Sequence, residues 1–311
     1  MPIESQRLEQ QVTTLGREIL AEAEARSNSP LSAQFYTEKF LAWAMEDEEV
    51  KVSLFRFVDV LPSLPDSASI IRHVQEYFRP LEGRVPDLLL KGLSLSPDSL
   101  AAKVVARAIR QQVRIVAERF IVGESPRDAL PKLRAMRRKK MAFTVDLVGE
   151  AAVSEVEAAR YFDTYLDLLT VLAAESPKWA EAKPIIAGHV CEQTPVNVSV
   201  KLSALYSQAK PVATEHSIGV LCERLRTLLK RAKELRAFVY VDMEDSSLTT
   251  ITLEAFRRAL EDPALRDYSQ CGIVLQAYLR RTADDLRTII DWVKRRETPI
   301  AIRLVKGAYW D

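Results

Sequence analysis

Glycine is scarce, 9 residues in 311, and neither GxGxxG nor GxxxxGK occurs. Neither a dinucleotide-binding turn nor a P-loop cradle for phosphate is visible. Cysteine is scarcer still: Cys191, Cys222 and Cys271 are widely spaced and odd in number, with no CxxC pair. That argues against a disulfide framework or a cysteine zinc site and leaves buried, reduced thiols in a cytosolic protein as the expectation. His73, His189 and His216 are scattered, so no histidine-based metal site or triad is expected. No apolar run approaches the length that spans a bilayer, and the opening MPIESQRLEQQ lacks the apolar core of a signal peptide. An excess of one charge is missing too. With 44 basic against 43 acidic side chains, the net charge is +1. That balance sets up no field to attract nucleic acid or an anionic membrane. The basic run RAMRRKKM (134–141) reads as a solvated helix end, where the helix dipole favours cations.

What is present is the composition of a globular protein, 48% hydrophobic and 28% charged. A length of 311 residues fits one large domain or two ordinary ones. Residues 1–140 read as helix after helix. Leu8, Val12, Leu15 and Ile19 recur at helical spacing. A second helix carries Phe35, Tyr36, Phe40, Leu41 and Trp43, and a third runs from Val50 to Val58 and stops near Pro62. Asp66 or Ser67 caps the next, and a long helix spans roughly 98–120. Ser125 followed by Pro126 is a cap with proline at the first helical position.

From about residue 142 the period changes. Short apolar, β-branched runs alternate with helical stretches: AFTVDLV (142–148), VNVSVKL (196–202), AFVYVDM (237–243), GIVLQAY (272–278) and PIAIRLV (299–305). Each has the length of a buried strand. Ser154 with Glu157 forms a capping box for a helix through Leu172. Further helices fit 215–235, 252–260 and 282–296, the last with Thr282 and Asp285 as its capping pattern. Residues 176–195 form a loop region. Strand–helix alternation with buried strands predicts parallel βα units.

Each strand carries a polar residue towards its C-terminal end: Asp146, Lys201, Asp242, Gln276, then Arg303 with Lys306 just beyond. A lone charge in a buried strand is costly unless paired. Taken singly, each reads as half of a structural ion pair, with Lys201 and Arg303 neutralising Asp146 and Asp242. Taken together they read as a catalytic face, because the C-terminal end of the strands is where a (β/α)8 barrel builds its active site. The same groups can serve both purposes.

The segments FTVDLVGEA, VSVKLSAL, VYVDMED, IVLQAY and IRLVKGAYWD resemble the proline dehydrogenase family, most closely the bifunctional proline utilization A enzymes. KFLAWAMEDEEVKVSLFRFVDVLPSLP resembles that family's helical arm. The resemblance implies an α/β fold: an all-helical arm or linker over 1–140, then a TIM-type (β/α)8 barrel beginning at 141. It also implies oxidation of L-proline to Δ1-pyrroline-5-carboxylate by hydride transfer to N5 of a noncovalent FAD, with the electrons passed to a membrane quinone. Arg303, Lys201 and Asp242 then have catalytic roles. Arg303 lies beside the flavin, where a fixed cation stabilises the reduced ring. Lys201, Asp146 and Tyr309 face the substrate. Met243, Gln276, Arg303, Lys306, Gly307, Ala308 and Trp310 hold the cofactor, with Gly307 allowing close backbone approach. Tyr309 and Trp310 also read as ordinary core aromatics. Glu150 is implied to pair with an arginine of the family's last helix.

The sequence ends at Asp311, directly after this motif. Only about five strands are readable, where a barrel needs eight. The expectation is an incomplete barrel, a fragment that alone holds FAD weakly or not at all and does not oxidise proline. A complementing chain carrying the remaining strands and an aldehyde dehydrogenase domain would restore it. Nothing resembles a basic, strand-rich DNA-binding segment. The expected location is cytoplasmic, with quinone contact peripheral to the inner face of a membrane. Two other readings stand beside the enzyme. One is a non-enzymatic remnant or helical interaction module using residues 1–140; the other is a different barrel enzyme acting on a phosphorylated substrate.

Overall fold

The computed structural model describes residues 2–25, 46–85, 87–118, 121–149, 151–179 and 194–307. The chain divides into two compact units, Met1–Phe120 and Ile121–Asp311.

The first unit is helical: α1 (Pro2–Ala25), α2 (Glu48–Val60), α3 (Ser67–Phe78), α4 (Asp87–Ser94) and α5 (Leu100–Ala117). Side-chain caps start α2, α3 and α5, and among them Asp66 is the cap expected from the sequence. Asp47 Oδ1 accepts from the amides of Glu49 and Val50 at 3.0 and 3.2 Å, Asp66 Oδ1 from Ser69 at 2.7 Å, and Ser99 Oγ from Ala102 at 3.1 Å. Such caps satisfy amides that the first helical turn leaves open. The core joins α2 to α5 through Val50, Phe57, Ile71, Val74, Phe78, Ala102 and Ile109. The stripe of α1, Leu8, Val12, Leu15 and Ile19, stands exposed. The helix expected around Phe35–Trp43 lies outside the described residues.

The second unit opens with α6 (Pro126–Arg138), capped by Ser125. It then alternates β1 (Val145–Asp146), α7 (Glu155–Glu175), β2 (Asn197–Val200), α8 (Thr214–Glu234), β3 (Phe238–Val241), α9 (Thr249–Leu260), β4 (Cys271–Gln276), α10 (Thr282–Arg296) and β5 (Ala301–Val305). All five strands are parallel and lie in sequence order. Sequential parallel strands, each followed by a helix, are the plan of a (β/α)8 barrel, and five of its strands are present among the described residues. The strands show the period of two that a pleated sheet imposes. Val198, Val200, Val239, Val241, Ile273 and Leu275 face the helices and form the core with Leu168, Leu172, Leu225, Leu228, Ala255 and Phe256. The alternate residues point to the other face, and by the ladder registers Asp146, Ser199, Tyr240 and Gly272 stand side by side across it.

Two local expectations change. The basic run at the end of α6 is only partly a solvated end. Arg137 is buried, donates to the carbonyl of Pro195 at 2.6 Å, and lies 4.2 Å from the ring of Phe143 and 5.3 Å from that of Trp179. Thr282 does not cap α10. Its hydroxyl donates instead to the carbonyl of Gln276, because the turn after β4 brings that acceptor within reach first.

Candidate active site

The polar strand ends do gather. Lys201 Nζ pairs with the Asp146 carboxylate across β1 and β2. Arg303 Nη1 lies 3.3 Å from Asp242 Oδ1 and 3.2 Å from Ser199 Oγ, and Nη2 lies 3.4 Å from Thr144 Oγ1. One guanidinium from β5 therefore touches β2, the end of β3 and the start of β1, across the face that the helices do not cover. Two cations and two carboxylates alternate there. Burial, then the nearby Asp146 carboxylate, hold the Asp242 carboxyl above its ordinary range, against the pull of Lys201 and Arg303. The Arg303 side chain keeps about a third of its surface, 34%, open to solvent. The ion pairs and the gathered face are thus the same set of atoms.

A second layer holds these groups in place. The buried Glu244 carboxylate accepts from the Ser203 amide at 3.1 Å and its hydroxyl at 2.5 Å. The Glu244 carbonyl accepts from Gln276 Nε2 at 3.0 Å. With the Thr282 hydroxyl on the Gln276 carbonyl and the Ala152 amide donating to the Ser203 carbonyl at 3.1 Å, the belt crosses the ends of β1 to β4. On α7, the buried Tyr165 hydroxyl accepts from the Lys201 amide at 3.3 Å, and burial pushes its phenol up.

Among the described residues the Gln276 amide nitrogen donates to the Glu244 carbonyl. Gln276 Oε1 is buried and, among those same described residues, has no hydrogen-bond partner. A buried acceptor without a donor is uncommon, and an N–H on a bound ring would satisfy it. The residues present therefore fit a flavin through one open acceptor and one fixed cation, while Met243 is buried in the core of the same unit. Lys306 is exposed, and its carbonyl accepts from the Tyr278 amide at 3.0 Å. Gly307 adopts φ +117, and a Cβ there would fall 1.9 Å from the Tyr278 ring. The described partner that needs the missing side chain is thus Tyr278. Glu150, Ala308, Tyr309 and Trp310 lie outside the described residues.

Sequence reasoning passed over Thr144, Ser199, Glu244 and Tyr165. Thr144 and Ser199 sit two residues before Asp146 and Lys201 on the same strand faces, which is the one signal that points to them. Among the described residues no group of three or more His, Cys, Asp or Glu is arranged to hold a metal.

The family model described as proline dehydrogenase matches residues 129–311, and that described as proline utilization A N-terminal domain matches residues 9–120. The bifunctional protein PutA of Escherichia coli (strain K12) is 27% identical over 208 residues, 67% of this chain and 15% of that protein. The proline dehydrogenase of Deinococcus radiodurans is 31% identical over 205 residues, 66% of this chain and 56% of that one. Among solved structures, proline utilization A from Bdellovibrio bacteriovorus, inactivated by N-propargylglycine, superposes with a TM-score of 0.82. It shares 39% identity over 97% of this chain and 29% of its own. The matched stretches of 208 and 205 residues thus span about a seventh of the bifunctional relative and just over half of the shorter one.

Proposed function

Starting from the proline dehydrogenase family, to which this chain belongs, we propose that its polar strand-end face oxidises L-proline to Δ1-pyrroline-5-carboxylate with FAD as cofactor. The observation that carries the reading is the cluster of Lys201, Asp146, Asp242 and Arg303 at the C-terminal ends of parallel strands, next to the open acceptor of Gln276. FAD, when bound, supplies the acceptor for the hydride that leaves proline C5. The chain's own residues bind and orient. Gln276, Met243, Arg303, Lys306, Gly307, Ala308 and Trp310 hold the cofactor, and Arg303 puts a permanent positive charge beside it. Lys201, Asp146 and Tyr309 receive proline. The Lys201 ammonium suits the carboxylate, and the Asp146 carboxylate, already beside it, suits the ring nitrogen in its cationic form. Asp242 keeps Arg303 oriented by accepting from it. By the family resemblance, Glu150 is proposed to pair with an arginine of the family's last helix.

Electrons leave to a quinone in this reading. No helix among the described residues is long and apolar enough to cross a membrane, so the contact proposed is peripheral to the inner face of a membrane, from the cytoplasm. An aldehyde dehydrogenase domain, as in the bifunctional relatives, is the proposed partner for the product. The activity is proposed for a completed barrel, to which these strands contribute five.

The test is a chimera. Residues 129–311 replace the matched segment of the Bdellovibrio relative, and the purified protein is mixed anaerobically with L-proline. Bleaching of the flavin band is expected, abolished by R303Q and slowed by K201A. A flavin-loaded chimera that stays yellow with proline overturns the reading.

A further inference from the structure

Arg303 rests on an aromatic ring. Its Cζ lies 4.0 Å from the centre of the Tyr240 ring, which sits two residues before Asp242 on the same face of β3. That ring leans in turn on Phe238, with centroids 4.7 Å apart. Its space comes from Gly272, directly across the ladder in β4. A Cβ at Gly272 would fall 2.5 Å from Cε1 and 2.8 Å from Cδ1 of Tyr240. Any other residue there drives the ring away from its seat.

The hydrogen bonds on Arg303 are long, 3.2 Å to Ser199, 3.3 Å to Asp242 and 3.4 Å to Thr144. Each weakens with distance, and all three run to the Nη atoms at one end of the guanidinium. They set its direction within the plane and leave its height above the sheet open. A planar cation stacked on a ring is fixed in that remaining coordinate. We infer that Tyr240, seated in the space left by Gly272, is a positioning residue that sets the height of the Arg303 guanidinium over the face and thereby its action on the flavin. The second half rests on the proposed function, which puts a flavin at this face; the stacking itself does not.

The first measurement needs no cofactor. In the 311-residue chain without FAD, the Arg303 Nε–Hε resonance, assigned by its loss in R303K, is expected to shift upfield through the ring current. The shift should persist in Y240F and vanish in Y240L. A wild-type resonance at the unshifted position overturns the inference. The second uses the FAD-loaded chimera described above. Y240F, which keeps the ring, should stay closer to wild type than Y240L. Y240L should lower kcat roughly 3- to 30-fold, the span of a cation–π contact, with KM for L-proline within about two-fold, and lower the flavin midpoint potential. Unchanged kcat and potential in Y240L overturn the positioning role even if the ring-current shift is present. R303K separates the two levels: if it leaves the flavin potential unmoved, the flavin-side role of Arg303 fails, while the ring-current shift still decides the stack.

Discussion

Burial and the neighbouring Asp146 carboxylate disfavour the charge on Asp242 more than Lys201 and Arg303 favour it. The sign of the stability effect follows. An acid whose pKa rises on folding binds more protons folded than unfolded between its ordinary and raised values, so stability falls as pH rises through that window. At neutral pH the ionised carboxylate costs stability. D242N keeps the shape and removes the charge. Its Tm is therefore expected to exceed that of wild type at pH 7, with the difference shrinking as pH falls towards the ordinary carboxylate value of 3.8. Thermal melts across that range check it, and a D242N that is less stable at pH 7 contradicts it. Activity should fall at the same time, since Arg303 loses a charged acceptor. Sites commonly sacrifice stability in this way for function.

At the scale of elements, α6 and α7 are joined by one buried carboxylate. Glu175 accepts from Arg134 and, at 3.0 Å, from Lys178, with 5% of its side chain exposed. Above all the Arg134 hydrogen bond, helped by Lys178 against the opposing burial, lowers its pKa from 4.5 to about 2. A depressed acid stabilises the fold above its ordinary pKa and loses that contribution as pH falls through the folded value. E175Q is expected to cost about 1–3 kcal/mol near pH 6. The gap from wild type should close between pH 4.5 and about 2, as read by denaturant unfolding. Strand β4 gives a second case. The G272A methyl meets the Tyr240 ring at 2.5 Å and the Ala301 carbonyl at 2.7 Å. The ring can swing but the carbonyl belongs to the β4–β5 ladder, so overpacking should destabilise by about 1–3 kcal/mol, with a lower denaturant midpoint as the readout. What the sequence makes legible at this scale is whatever acts within a turn. The caps at Asp66, Ser125 and Ser154 and the five strand runs are all local. In the Ser154 box even the return bond slips by one residue, Glu157 accepting from Val153 at 2.8 Å. Thr282 has a cap's spacing from Asp285, and a nearby carbonyl takes its hydroxyl. Glu244, Tyr240 and Ser199 act on residues distant in sequence, Ser199 on Arg303 across 104 positions. Periodicity assigns each to a face and carries no information about the partner.

For the whole molecule, the strand order β1-β2-β3-β4-β5 puts β1 and β5 at the flanks of the sheet. Among the described residues each has a ladder partner on one side only. Leu304, on the side of β5 that faces helices elsewhere in the sheet, is 62% exposed, and β5 is correspondingly less buried than β4, whose residues are all buried. The candidate site sits on this same sheet. Its inward face is a barrel interior only once eight strands close it; with five, the Arg303 side of the cluster stays wet, and water screens the charge that a low-dielectric site would strengthen. Under the proposed function, both the grip on the cofactor and the electrostatics then depend on closure. The 311-residue polypeptide, purified alone, is expected to carry FAD at well below one per chain and to show no bleaching with L-proline. The chimera, in which the same residues lie within eight strands, should bleach. Visible spectra of the two, recorded at equal protein concentration, separate the causes. A yellow, active polypeptide would mean that five strands hold the site unaided. A colourless polypeptide beside an active chimera would assign the missing grip to closure rather than to any residue of the cluster.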